Sequence, residues 1–258
     1  MTQKKIYFAS DLHLGVPNAA ESLERERKFI KWLDHIAPDT KELYLLGDVF
    51  DFWFEYKRAI PKGFARLQGK LAEFTDSGIP VHFFAGNHDM WLNNYFSEEL
   101  GLIVHLEPFE TELFGKKFFL AHGDGLGPGD QNYKFLKKIF RNKWLKRSFG
   151  LVHPNTGIRI AQYFSKRSRK GNAHLDQTDY GENEFLLLFS KEYLGKHPDI
   201  SYFVYGHRHL PANNEFAPGK HYINLGDWIG HNTFLQADGE GVRLLRYHPG
   251  AVEPFSAL

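Results

Sequence analysis

The 258-residue sequence contains no cysteine. Disulfides and thiolate-bound metals are therefore excluded, and a reducing compartment is compatible. Long apolar runs are missing as well. No window approaches the roughly 18–20 consecutive apolar residues of a membrane-spanning helix. The opening residues, Met1-Thr-Gln-Lys-Lys5, lead straight into a strand pattern, with no signal-peptide hydrophobic region. No internal repeat or low-complexity tract is present. Net charge is almost nil, at +1, but this average hides a local absence. From Gln131 to Lys170 there are 12 Lys or Arg and not one Asp or Glu, so the other 218 residues carry 20 positive and 31 negative charges. A basic segment set into an acidic body is a surface for something anionic: phosphate, nucleic acid or acidic lipid headgroups.

What is abundant is aromatic, with 24 Phe, 12 Tyr and 5 Trp. Length and apolar content fit one soluble globular domain over residues 1–258 with a piece inserted at 126–180. The run Leu43-Tyr-Leu-Leu-Gly-Asp48 reads as a buried strand that stops at a tight turn presenting a carboxylate. Before it, Ile6–Ser10 reads as a strand and Glu21–Ile36 as an amphipathic helix. After it come a helix over 63–76 and a strand over 81–85. This βαβαβ rhythm predicts an α/β fold with parallel strands and right-handed crossovers. Then the period changes. Residues 110–114 and 117–121 read as a hairpin about Gly115-Lys116. A helix follows over 182–194 with Phe185, Leu188, Phe189 and Tyr193 inward, then a strand over 200–205. Residues 221–225, 232–237 and 241–247 read as closing antiparallel strands.

Five strand ends each deliver oxygen or imidazole donors: Asp11 and His13, Asp48, Asn87, His122, then His207 and His209. In parallel sheets chemistry gathers at such ends. In Asp-x-His and His-x-His, alternate residues just past a strand are expected to point the same way. Asp, Asn and His without Cys suit Mn²⁺, Fe²⁺ or Zn²⁺. Seven donors are too many for one ion and about right for two, which at a separation of about 3.5–4 Å clamp a phosphoryl group.

These motifs, Asp11-x-His13, Gly47-Asp48-x-x-Asp51, Gly86-Asn87-His88-Asp89, His122-Gly-Asp and Gly206-His207-x-His209, resemble the calcineurin-like metallophosphoesterase superfamily. The resemblance implies a four-layer α/β/β/α sandwich with a dinuclear site. One ion would take Asp11, His13, Asp48 and His209. The other would take Asp48, Asn87, His122 and His207, with Asp48 bridging, and a bridging hydroxide would attack phosphorus. His88 would then be no ligand but a catalytic residue facing the scissile phosphate. Asp51 would orient its ring and raise its pKa, as suits a general acid.

Within the insertion, Phe135, Leu136, Ile139, Phe140, Trp144 and Leu145 make an apolar stripe on a helix with lysines between them. Pro154-Asn155-Thr156 reads as a break and N-cap. Ile160, Ala161 and Phe164 mark a second short helix ending at Lys166–Lys170. Two basic amphipathic helices beside such a site suggest a lid with an apolar interior and a membrane-facing rim. An ordinary helical hairpin packed on the core stays open. Over nearly its whole length the chain also resembles the UDP-2,3-diacylglucosamine pyrophosphatases of bacterial lipid A synthesis. The residues that carry this are Ala9–His13, His122–Leu126, Asp130-x-x-Tyr133, Trp144-Leu145, Arg159–Ala161, Ser168-x-x-x-Asn172 and Leu225-Gly226-x-Trp228.

That resemblance implies hydrolysis of the lipid nucleotide to UMP and 2,3-diacylglucosamine 1-phosphate, with Mn²⁺ the expected metal and Fe or Zn open. Asn87, His88, Asp130, Tyr133, Ser168, Asn172 and His207 would contact substrate. The protein would be cytoplasmic and peripheral to the inner face of the bacterial inner membrane, its basic lid on anionic lipid. Well-known members carry Arg in place of His88, Glu in place of Asp51 and Lys in place of Leu175. A nucleotide or nucleic-acid phosphodiesterase and a non-catalytic interaction module are the competing readings. The apolar residues between the lysines argue against nucleic acid, and nothing in the sequence specifies an oligomeric state.

Overall fold

The computed structural model describes residues 4–128, 134, 137, 139, 142–176 and 178–255, and for 166–176 the helical backbone alone. The first sheet is built from β1 (Lys5–Ala9), β2 (Thr40–Leu45), β3 (Val81–Phe84), β4 (Ile103–His105), β10 (Thr233–Asp238), β11 (Gly241–His248) and β12 (Ala251–Pro254), in the order β12-β11-β10-β1-β2-β3-β4. The second holds β5 (Phe109–Leu113), β6 (Lys116–Ala121), β7 (Ile200–Tyr205), β8 (Ala212–Ala217) and β9 (Lys220–Asn224), in the order β5-β6-β7-β9-β8. Strands β1 to β4 run parallel, as do β6, β7 and β9.

The strands read as unbroken apolar runs because both their faces are buried. In β1, Ile6 and Phe8 face the second sheet, while Tyr7 and Ala9 face the helices. Tyr44 alternates with Leu43 and Leu45 in the same way, and Phe118 and Leu120 alternate with Phe119 and Ala121 in β6. The two inner faces meet through such residues, with the Phe8 and Phe118 rings stacked at 6.1 Å. Helices α1 (Ala19–Ile36) and α2 (Ala65–Asp76) cover the outer face of the first sheet, and α6 (Phe185–Leu194) covers that of the second. The result is the expected layering of helix, sheet, sheet, helix. Under α1, Phe29, Trp32 and Trp228 form an aromatic knot with centroids 4.6–5.1 Å apart. Each such buried ring contributes about 1.5–3 kcal/mol. A short helix, α3 (Tyr95–Glu98), precedes β4.

Several expectations need correction. On helix α6, Phe185, Phe189 and Tyr193 pack partly buried against the core as expected, but Leu188 turns outward at 36% exposure and Leu186, Leu187 and Ser190 are the buried residues. Strand β9 is not purely antiparallel: it pairs parallel with β7 and antiparallel with β8. That edge strand, Ala-Asn-Asn-Glu-Phe-Ala, is too polar to show an alternating pattern. In the inserted segment, Asn142 caps a short helix, α4 (Lys143–Phe149), its side chain accepting from the N–H groups of Trp144 and Leu145. Trp144 and Leu145 therefore do not extend a helix running through position 142, and both are exposed. Phe135, Leu136 and Phe140 lie outside the described residues. The following helix, α5 (Pro154–Asp176), is 23 residues long and has Pro154 as its first residue, so Asn155 and Thr156 are inside it rather than capping it. Among the described residues no helix is long and apolar enough to cross a membrane.

Candidate metal centre

All seven predicted donors lie at the carboxyl ends of β1, β2, β3, β6 and β7. The expected strand alternation is not how they converge. Asp11, His13, Asp48, His207 and His209 all sit in left-handed backbone conformation, with φ between 44° and 69°. Each such residue costs about 1–3 kcal/mol and persists only where its surroundings impose it. Here the imposition is visible. The loop after β1 is tied to the loop after β2 by Asp11 N–H to Gly47 O, His13 N–H to Asp48 O and Leu14 N–H to Val49 O, at 2.9–3.1 Å.

One oxygen of each central carboxylate is held by backbone and the other is aimed inward. His207 N–H donates to Asp11 Oδ2 at 2.9 Å, and His88 N–H donates to Asp48 Oδ1 at 2.8 Å. Asp11 Oδ1 then lies 3.3 Å from His209 Nε2 and 3.6 Å from His13 Nε2, whose own separation is 3.0 Å. Asp48 Oδ2 lies 3.6 Å from His13 Nε2 and 3.4 Å from His122 Nε2, between two groups of donors. On the far side Asn87 Oδ1 is 3.0 Å from both His122 Nε2 and His207 Nδ1. His122 Nδ1 faces the Leu46 carbonyl at 2.8 Å. That carbonyl only accepts, so Nδ1 carries a hydrogen and Nε2 is the nitrogen turned to the centre.

The donors are packed to the limit of approach. A Cβ on Gly86 would fall 2.1 Å from Asp48 Oδ1, and one on Gly206 would fall 2.5 Å from Asp11 Oδ2. Among the described residues the buried Asp11 Oδ1 makes no hydrogen bond, although it is surrounded by imidazole nitrogens. A buried carboxylate oxygen left unsatisfied is costly unless a cation takes it, so the residues fit divalent metal. Two donor groups, Asp11 with His13 and His209, and Asp11 with Asp48 and His122, are close enough to hold an ion. A third, His13 with Asp51 and His88, lies behind His13, whose Nδ1 is 3.7 Å from Asp51 Oδ1.

Electrostatics point the same way. Burial alone would raise Asp48, but the histidines around it, His122 first, hold it well below the usual carboxylate range. Burial would lower His122, yet Asp48 outweighs it and pushes it up to about 10. Burial, then the neighbouring His122, takes His207 down to about 4. The carboxylates thus demand positive charge, for which protons and cations compete.

His88 departs from expectation. Burial dominates, the neighbouring histidines add to it, and the ring is held down to about 4, not raised. The Asp51 carboxylate does not grip the ring directly: its Oδ1 is 3.6 Å from His88 Nδ1. That nitrogen instead meets the Asp51 main-chain oxygen at 3.0 Å and the Ser165 hydroxyl of α5 at 3.1 Å.

Three further residues escaped the sequence reading. Asp89 is fully buried and accepts from the N–H groups of Gly86, Val49, Phe50 and Asp48, clamping two donor loops together. Its place in Gly86-Asn87-His88-Asp89 was the only signal. Arg208, buried between the two histidines of Gly206-His207-x-His209, pairs with Glu184 at 3.0 Å and donates to Thr178 O at 2.8 Å. Ser165 had no signal. Asp130 and Tyr133 lie outside the described residues, and for Ser168 and Asn172 only the α5 backbone is described. Helix α4 docks through Phe149, 4.8 Å from both Phe54 and Trp91, and through Lys146 Nζ, which donates to Leu92 O.

The sequence pattern of the calcineurin-like phosphoesterases matches residues 4–211. The chain is 40% identical over 249 residues to a Porphyromonas gingivalis protein named UDP-2,3-diacylglucosamine hydrolase, covering 92% of this chain and 95% of that one. It is 30% identical over 236 residues to an Aeromonas hydrophila protein of the same name, covering 88% and 92%. A solved dimetal phosphatase from Danio rerio aligns with a TM-score of 0.47 and 15% identity over 94% of each chain.

Proposed function

Because the chain belongs to the calcineurin-like phosphoesterase family, we propose that it is a metal-dependent hydrolase of the pyrophosphate bond of UDP-2,3-diacylglucosamine, releasing UMP and 2,3-diacylglucosamine 1-phosphate. The observation that carries this reading is the convergence of carboxylate, amide and imidazole donors from five loops on one buried centre with an unsatisfied Asp11 oxygen. Asp11, His13, Asp48 and His209 would hold one divalent cation and Asp48, Asn87, His122 and His207 the other. Mn²⁺ is the expected ion, and Fe and Zn suit the same donors. Two such cations, when bound, neutralise phosphoryl charge and make water nucleophilic at neutral pH.

His88 would meet the phosphate, with Asp51 and Ser165 holding its ring. Burial disfavours the charged imidazole, and an anionic pyrophosphate beside it reverses that bias, which lets His88 place a proton on the departing oxygen. We read residues 1–258 as one domain and 126–180 as its lid, with Asp130, Tyr133, Ser168 and Asn172 as contacts to substrate alongside Asn87 and His207. Trp144 (76% exposed), Leu151 (86%), Tyr163 and Phe164 present apolar surface amid the basic segment. That combination suits acyl chains and anionic lipid, and so a place on the inner face of a bacterial inner membrane.

Phosphorus NMR of the Mn²⁺-loaded protein with UDP-2,3-diacylglucosamine, run beside bis(p-nitrophenyl) phosphate, tests the reading. UMP and the lipid monophosphate at much higher efficiency than cleavage of the diester are expected. Turnover of the diester alone would discard the substrate and keep the centre. Failure to sediment with anionic vesicles would discard the membrane surface.

A further inference from the structure

We propose that Ser165 is a positioning residue for His88, the hydroxyl relay that joins the Asp51 carboxylate to the His88 imidazole and makes that ring's orientation depend on the seating of helix α5. The inference rests on the reading of His88 as the group that meets the phosphate. Its geometry stands independently.

Ser165 Oγ lies 2.9 Å from Asp51 Oδ2 and 3.1 Å from His88 Nδ1. The direct distance from that nitrogen to Asp51 Oδ1 is 3.6 Å, too long for a hydrogen bond. The acceptors set the order of the hydrogens. A carboxylate oxygen accepts, so the single hydroxyl hydrogen of Ser165 goes to its nearest acceptor, Asp51 Oδ2. The Asp51 main-chain oxygen, 3.0 Å from His88 Nδ1, also only accepts. The hydrogen between them is therefore on Nδ1, and it is shared with the lone pair of Ser165 Oγ. This order fixes the tautomer and leaves Nε2 as the ring nitrogen outside the relay.

Position in the chain gives the relay its second property. Ser165 is 114 residues from Asp51 and 77 from His88. Both partners sit on loops of the first sheet, whereas Ser165 arrives on α5 of the inserted segment. Other contacts of that segment reach the same loops, through Phe149 against Phe54 and Lys146 against Leu92. Seating the segment therefore completes the hydrogen bonding of His88, and lifting it removes one of the two acceptors of Nδ1–H.

The test compares Ser165→Ala and Ser165→Thr with the wild-type protein, each alone and Ser165→Ala also in a His88→Ala background. Alanine is a better helix former than serine, so the fold is not at risk. With bis(p-nitrophenyl) phosphate, Ser165→Ala should lower kcat about tenfold and leave KM within about twofold, the size expected for one hydrogen bond in a charged network. Ser165→Thr, which keeps the hydroxyl, should restore most of the rate. In the His88→Ala background the same change should cost less than about twofold. Nitrogen NMR of the His88 ring in Zn²⁺-loaded protein should show the Nδ1–H tautomer in the wild type and a mixture in Ser165→Ala. An unchanged tautomer, or an equal loss of rate with and without His88, would overturn the assignment. If the wild type turned over neither the diester nor UDP-2,3-diacylglucosamine, the hydrolase reading would fall, and the NMR spectrum would still decide the role of Ser165.

Discussion

Gly86→Ala is the substitution that tests the centre most directly. Gly86 is not in a left-handed conformation, so alanine brings no backbone strain of its own. It brings a Cβ 2.1 Å from Asp48 Oδ1 and 2.4 Å from Asp48 N. Ordinary contact needs more than 3 Å, so Asp48 or the Gly86 loop must move by about 1 Å against a backbone atom that cannot rotate away. Overpacking of this kind costs about 1–3 kcal/mol, well inside the roughly 5–15 kcal/mol of a typical domain, so the variant should fold. The function should not survive. The displaced carboxylate is the one lying between His13 Nε2 and His122 Nε2 at 3.6 and 3.4 Å, while metal–ligand distances tolerate about 0.2 Å. A 1 Å misplacement at a reacting centre typically costs about a hundredfold.

The expected result is a chain that melts within several degrees of the wild type, binds fewer than two metal ions by elemental analysis, and turns over bis(p-nitrophenyl) phosphate at least about a hundredfold more slowly. Gly115→Ala is the control. Its φ of +72° imposes strain but nothing among the described residues lies within 4 Å of the new Cβ, so it should lose stability and keep the metals. Wild-type metal content together with turnover within tenfold in Gly86→Ala would refute the bridging position of Asp48.

His122→Ala should abolish turnover and reduce metal content with the fold intact by circular dichroism, and near-normal activity would sink the two-metal assignment. His88→Ala should lower turnover far more than metal content, and metal loss instead would make His88 a ligand. A pH effect should arise away from the centre, at His82 and His105, whose Nδ1 and Nε2 atoms are 2.9 Å apart. Burial lowers both, and burial followed by the charge of His82 takes His105 to about 4. Their unfolded value is about 6.5, so below it the unfolded chain binds more protons. The stability they contribute is full above pH 6.5 and is lost as pH falls towards 4. Replacing His105 with Phe keeps ring contacts to Phe84 and Phe109 and should flatten the fall in urea midpoint between pH 6.5 and 4.5. A slope equal to that of the wild type would show that the pair is not responsible.

The donors were legible in sequence because each is announced twice, by its residue type and by the apolar run that ends beside it. Their convergence was not, because it does not follow from strand alternation. Asp11 and His13 share a centre through two left-handed residues tied by backbone hydrogen bonds to the loop after β2, and no period in the sequence encodes that tie. Local pattern also misplaced Leu188 of α6, which is exposed, and overlooked Leu186 and Leu187. There Leu186 and Leu187 are buried because β6 and β7 offer Phe119, Phe203 and Tyr205 at that height, a tertiary fact. Edge strand β8 was missed because its solvent face needs no apolar residue.

Asp89, Arg208 and Ser165 mark the deeper limit. Each acts on a partner far along the chain, so its meaning exists only once the fold has formed. Asp89 clamps Val49 and Phe50, Arg208 pins the His207–His209 loop to Glu184, and Ser165 joins Asp51 to His88. Asp89 and Arg208 brace loops that carry left-handed donors, and Ser165 bridges two residues beside them. Five left-handed donor residues at about 1–3 kcal/mol each are a cost met by backbone hydrogen bonds of their own loops and by such neighbours. The strain is carried by neighbours of ordinary type, and this separates the two kinds of information. Residue type identifies the chemistry of the centre, whereas the geometry that makes the chemistry possible is written in buried acceptors and clamps that no motif distinguishes from any other Asp, Arg or Ser.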